Sequence, residues 1–245
     1  MSVLLEVCVD SAEGLAAAIA GGADRIELCS ALDVGGLTPS KGLMALAAKA
    51  PLPVYAMIRP RAGDFVFDAA SREVMLGDID AARQAGLAGV VLGASLADGR
   101  LDVDLLRVLT ERAEGLGQTL HRAFDLVPDA GEALEQAITL GFERILTSGL
   151  AVKAPDGVAV LRLLVDQADG RISIMAGSGI TPANVADIVV AAGLRDVHAS
   201  CRRPVISADE ALVRFGFAAG QGYLTSEDVV AEMRGVLGRT GAGQS

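Results

Sequence analysis

The chain has 245 residues, 51% of them hydrophobic and 21% charged, so it collapses around a large core and disorder is excluded as its main state. Its 21 Lys and Arg face 31 Asp and Glu, and the net charge of −10 repels phosphate backbones. With 3% aromatic residues and no Trp there is no platform for stacking nucleic-acid bases, and nucleic acid is not an expected partner.

The first apolar run, LLEVCV at 4–9, alternates as a strand does, which puts Glu6 and Cys8 on one face. Glu6 and Asp10 follow the start too closely for a signal peptide, and no run of about 18 apolar residues exists, so the expectation is a cytoplasmic protein without a membrane span. Asp10 and Glu13 mark a helix start, and Ala16, Ile19 and Ala20 have helical spacing. RIELCS at 25–30 is a second strand, with Glu27 and Cys29 on one face. Thr38-Pro39 marks the next helix start. VYAMIRP at 54–60 leads to Arg59 and Arg61 around Pro60, and RAGDF begins the longest strand-to-helix connection, expected to act as a lid. GVVLGAS at 89–95 precedes a helical stretch through Leu105, Leu106, Leu109 and Ala113. QTLHRAFD at 118–125 carries His121, Arg122 and Asp125, and RILTSG at 144–149 ends in Thr147 and Ser148. RISIMAGSG at 171–179 runs into a helix start at Thr181-Pro182, and DVHASC at 196–201 carries His198 and Cys201. A longer connection at 202–225, a last helix at about 226–237 and a mobile tail at 241–245 complete the chain.

Eight strand–helix units whose strands start 21 to 35 residues apart predict a single α/β domain over 1–245, a TIM-like (β/α)8 parallel barrel. An open doubly wound sheet is the alternative, but no G-x-G-x-x-G follows the first strand. Gly22, Gly86, Gly141 and Gly193 each stand four residues before a strand Ile or Val, where a left-handed helix stop fits.

In such a barrel the outer face of each strand meets apolar helices, so Glu6, Cys8, Glu27 and Cys29 are expected to point inward. Adjacent strands lie about 4.8 Å apart, which brings the two thiols near each other at the mouth. Two readings stay open for them: small buried hydrophobes, or thiolate ligands of a soft ion such as Cu(I). Arg59, Arg61 and Arg122 read as ligand contacts or as surface ion pairs. His121 and His198 read as site residues or as core histidines. Gly177 and Gly179 read as an anion seat at a helix N-terminus or as a tight turn. Cys201 has the parity opposite to His198 and is expected outside the site. Three cysteines, Cys8, Cys29 and Cys201, are an odd number in a chain of this size and read as free thiols.

EVCVDS at 6–11, GGADRIELCSAL at 21–32, GGLTPS at 35–40, MIRPRAGDF at 57–65, HRAFD at 121–125 and ERILTSG at 143–149 together resemble the copper homeostasis protein CutC family. The resemblance spans about Leu5 to Arg202. It implies a TIM-like barrel, a cytoplasmic location, assembly as a homo-oligomer, and Cu(I) held by Cys8 and Cys29. A second reading is an enzyme for a small anionic, phosphorylated or other, metabolite. In it Glu6, Glu27, His121 and Asp125 supply acid–base groups, and Arg59, Arg61, Arg122, Ser148, Gly177, Gly179 and His198 hold the ligand. A third is a non-catalytic oligomeric protein that docks a partner through 202–225.

Overall fold

A computed structural model of the chain describes residues 3–206 and 209–242. Eight parallel strands close in chain order into one barrel. They are β1 (Leu4–Val9), β2 (Arg25–Leu28), β3 (Val54–Met57), β4 (Gly89–Leu92), β5 (Gly117–Leu120), β6 (Arg144–Thr147), β7 (Ser173–Ala176) and β8 (Asp196–Ala199). Seven helices alternate with them: α1 (Ala12–Ala20), α2 (Lys41–Ala47), α3 (Ala69–Ala85), α4 (Val103–Arg112), α5 (Ala130–Thr139), α6 (Val158–Ala168) and α7 (Val185–Ala192). This is the (β/α)8 barrel that the periodicity predicts.

The chain after β8 departs from that expectation. Residues 202–225 are not a plain connection. β9 (Arg202–Ile206) and β10 (Gln221–Thr225) pair antiparallel, with α8 (Glu210–Arg214) between them. This arm leaves Ile206, Phe215 and Phe217 exposed. α9 (Glu227–Ala242) then fills the eighth helical position, packed between α1 and α7. It runs past the expected end at 237 through 241–242, so only residues 243–245 of the expected tail lie outside the described residues. No described helix is long and apolar enough to cross a membrane.

Alternation sorts the side chains into two layers. Leu5, Val7, Val9, Ile26 and Leu28 point outward into the layer shared with the helices, and each such fully buried aliphatic contributes about 1.5–3 kcal/mol. Glu6, Cys8, Glu27 and Cys29 point inward, as expected, with Tyr55, Met57 and Val91. The Tyr55 ring fills the lower barrel because Gly89 and Gly117 leave room; a Cβ at Gly89 would sit 2.2 Å from Tyr55 Cε1. Gly22, Gly86, Gly141 and Gly193 have φ of +88°, +84°, +82° and +70°, the left-handed turn that ends each helix before an even-numbered strand.

Three helix starts fall later than the sequence signals. Ser11, not Asp10, caps α1 by accepting from Gly14 N, and Ser40, not Thr38, caps α2 by accepting from Leu43 N. α7 begins after Asn184, beyond Thr181-Pro182. β1 spans its whole run, whereas the other strands are shorter than theirs, and the polar ends of those runs form the mouth loops.

Candidate functional site

The site is built on the strand register. Glu6 lies level with Arg25 of β2 on one side and His198 of β8 on the other. Parallel neighbours at the same level share a face, so the three side chains meet inside the barrel. Arg25 Nε donates to Glu6 Oε2 at 2.5 Å, and its terminal nitrogen donates to Asp196 Oδ1 at 3.1 Å. Glu6 Oε1 lies 2.8 Å from His198 Nδ1. Burial raises the pKa of Glu6, but the His198 hydrogen bond and the Arg25 charge more than offset it and hold it at about 2. A fully buried carboxylate therefore stays ionised because it is doubly paired. Burial lowers the pKa of His198, yet Glu27, Cys8 and Glu6 around it raise it well above the usual histidine value.

One level nearer the mouth, Cys8 lies opposite Glu27, not opposite Cys29. Cys8 Sγ, a Glu27 oxygen and a His198 ring nitrogen all lie within 4.8 Å of one another, the one such trio of metal-capable groups among the described residues. Glu27 Oε2 accepts from Cys29 Sγ at 3.5 Å, while Oε1 is buried without a partner. Burial holds the Glu27 carboxyl above its ordinary range, only partly offset by His198. Cys29 sits one step further along the strand, wholly buried against Tyr55, Met57, Val91 and Gly36. Burial and the adjacent Glu27 push its thiol up.

Above these residues opens a cavity of about 390 Å³ at the C-terminal mouth, the usual place for a site in this fold. Cys8, Glu27, His198, Arg59, His121 and Arg122 line it, with Phe65 and the loop Ser178–Pro182. His121 Nδ1 accepts from Ala123 N at 3.1 Å. Burial and the Arg59 charge lower its pKa to about 3, so the ring is neutral with its proton on Nε2, which has no partner. Arg59 donates to the carbonyls of Val34, Gly36 and Gly63, tying two mouth loops together, while its buried Nε is unpartnered. Phe65 packs on both groups, 4.9 Å from the Arg59 guanidinium and 4.7 Å from the His121 ring. The RAGDF loop thus closes one side of the mouth.

The structure brings Cys8, Glu27, Arg59, His121, Arg122, Gly179 and His198 to one cavity, with Glu6 behind His198. Other expected residues take different places. Arg61 is half-buried outside the cavity and binds Asp64 at 2.6 Å, because the chain has left strand geometry after β3. Asp125 does not line the cavity: it accepts from Thr147 Oγ1 at 2.5 Å, Ser148 N at 2.9 Å and Arg122 Nε at 2.7 Å, and organises the loop after β6. Ser148 is fully buried in that network. Gly177 gives room to Leu146 and to the His198 ring, since a Cβ there would lie 2.5 Å from Leu146 Cδ1 and 3.4 Å from His198 Cδ2.

Cys201 corrects an expectation: it lines the cavity, because its φ of +46° breaks the alternation after β8. Arg25 and Asp196 join the site from outside the expected residues. The parity that selected Glu27 and Cys29 in RIELCS also selects Arg25. Nothing in the sequence marks Gly93, whose missing Cβ makes space for His121; a Cβ there would meet His121 Cε1 at 2.1 Å.

A CutC family model matches residues 3–203. A family protein CutC of Sinorhizobium medicae is 60% identical over 235 residues, covering 96% of each chain. Another, from Caulobacter vibrioides, is 59% identical over 232 residues, covering 94% of this chain and 95% of that one. Among solved structures, one described as a candidate copper homeostasis protein CutC from Streptococcus agalactiae is 32% identical with a TM-score of 0.78, covering 81% of this chain and 98% of that one. A thiamine phosphate pyrophosphorylase from Pyrococcus furiosus, 18% identical with a TM-score of 0.60 over 97% of this chain and 96% of that one, shares the fold.

Proposed function

The chain belongs to the CutC family, and from its mouth cavity we propose that it is an enzyme acting on a small anionic metabolite. One observation carries this reading: Glu27 Oε1, Arg59 Nε, His121 Nε2 and Arg202 Nε, four buried polar atoms of cavity-lining residues, have no partner among the described residues. An unpaired buried polar atom costs about 1–3 kcal/mol, more for a charged group. Four around one cavity are best explained by a ligand that pairs them. The Arg59 and His121 N–H groups suit acceptor oxygens of a carboxylate or phosphate, with Arg122 adding positive charge. Glu27, whose carboxyl burial holds above its ordinary range, is the acid–base group.

The test is a titration of the purified protein with inorganic phosphate and with succinate, followed by the 15N signals of Arg59 Nε and the His121 ring. The expected result is that one of these anions moves both signals together and that His121→Gln abolishes the response at Arg59. If neither anion moves them before exposed arginines respond, the reading is overturned.

A second reading, Cu(I) as cargo, is favoured by the trio at Cys8, Glu27 and His198. The donor set fits a soft ion only in part. Cys8 and a histidine nitrogen are suitable ligands, but the carboxylate is a hard one. Of the cysteine pair that the resemblance implies, Cys8 lines the cavity and Cys29 does not. Competition for Cu(I) against a chromogenic chelator separates the arrangements. Loss of affinity in Cys8→Ser alone supports the Cys8–His198 seat, and equal loss in Cys29→Ser supports the pair. Unchanged affinity in both removes the copper reading.

A further inference from the structure

His198 is held by a carboxylate on one ring nitrogen, while Cys8 and Glu27 stand close by in the cavity. Glu6 fixes Nδ1 at 2.8 Å, and Arg25 fixes Glu6 in turn. Cys8 Sγ stands within 4.8 Å of a ring nitrogen of the same histidine and lines the cavity. A nucleophile, a base and a group that orients the base are the three parts of covalent acyl-transfer sites, and apo separations in them are often long. A carrier of metal ions has no use for the third part beyond holding a ligand ring still, and no use for the unpaired donors Arg59 Nε and His121 Nε2 in the same cavity. Those donors suit an acyl oxygen that gains negative charge.

We propose that Cys8 is a catalytic nucleophile, with His198 as its proton-carrying partner and Glu6 as the positioning residue behind it, acting on small acyl compounds such as esters or thioesters. This rests on the mouth being a small-ligand site. The Cys8–His198 pair enters the reaction with its shared proton on His198, and the sulfur attacks the acyl carbon to form a C–S bond. The bond from that carbon to the leaving group breaks, and His198 gives its proton to the leaving group. Water then attacks the thioester with the now neutral His198 as base, the C–S bond breaks, and the acid is released with the pair restored. The net change is hydrolysis, and no oxidant or reductant is required. A cavity of about 390 Å³ beneath Phe65 accepts a metabolite and excludes a folded protein. Cys29, which does not line it, and Cys201, which lacks the histidine partner, are internal controls.

The full chain is treated with p-nitrophenyl acetate and, separately, iodoacetamide, followed by intact mass and peptide mapping. The expected result is one acetyl adduct per chain on Cys8, with a matching burst of p-nitrophenolate, and alkylation of Cys8 well ahead of Cys29 and Cys201. His198→Asn, shown to be folded by its melting transition, is expected to slow acetylation of Cys8 by about 100-fold or more. Glu6→Gln is expected to slow it too and to shift the 15N titration of His198 to lower pH, which a purely structural role would leave alone. Adducts spread over all three cysteines, or an undiminished rate in folded His198→Asn, overturn the proposal. Cys8→Ser is titrated with the same phosphate and succinate. If it still shows the Arg59 and His121 response while the wild type is not acetylated, the nucleophile fails and the ligand site stands. If neither response is seen, both fail.

Discussion

Glu6→Gln tests the central ion-pair network through stability. Glu6 is wholly buried between Arg25 at 2.5 Å and His198 at 2.8 Å. Its pKa falls from 4.5 to about 2 on folding. Each unit is about 1.4 kcal/mol, so this ionisation contributes ~3 kcal/mol at neutral pH. A depressed carboxylate pKa means stability that is complete above the unfolded value of 4.5 and lost as pH falls through about 2. Removing one member of a buried pair costs about 3–5 kcal/mol, and Arg25 keeps Asp196, so the lower end is expected. Urea unfolding of wild type and Glu6→Gln across this pH range is the assay. The two should differ by ~3 kcal/mol at pH 7, and the gap should close as Glu6 is protonated and comes to resemble glutamine. A gap below about 1 kcal/mol at pH 7, within what a single neutral hydrogen bond supplies, would refute the reasoning. So would a gap that persists unchanged into acid.

The chain has only two histidines, so their 15N spectra are assignable without crowding. His121 is expected to stay neutral, protonated on Nε2, until pH approaches about 3, and His198 to remain protonated well above pH 6.5; the reverse order of titration would contradict the site as drawn. Gly93→Ala puts a Cβ 2.1 Å from His121 Cε1, so the ring must turn; a loss of about 1–3 kcal/mol in urea unfolding and loss of the neutral Nε2–H signature are expected. Gly86→Ala meets no atom within 4 Å but holds φ at +84°, so a cost of about 1–2 kcal/mol with an unchanged His121 spectrum is expected. Tyr55→Phe loses the hydrogen bond to Glu143 at 3.0 Å while keeping the ring, and about 1 kcal/mol of stability should go with it.

The barrel itself was legible in the chain because its signals are local. Strand alternation and helical spacing repeat within a few residues, and the helix-stopping glycines sit where the backbone must turn left-handed. The same alternation turned Glu6, Cys8, Glu27 and Cys29 inward, since their neighbours had to meet apolar helices. Which inward residues meet is a different kind of information. It depends on the lateral register of strands far apart in the chain, and Glu6 joins His198 across 192 positions. That register set Cys8 against Glu27 and moved Cys29 one step out of the cavity. Past the strand ends alternation no longer applies, so only the tertiary structure could bring Cys201 in, turn Arg61 out and give Asp125 to a loop. Periodicity describes each strand by itself, whereas the site exists only where closure of the ring aligns one strand with the next.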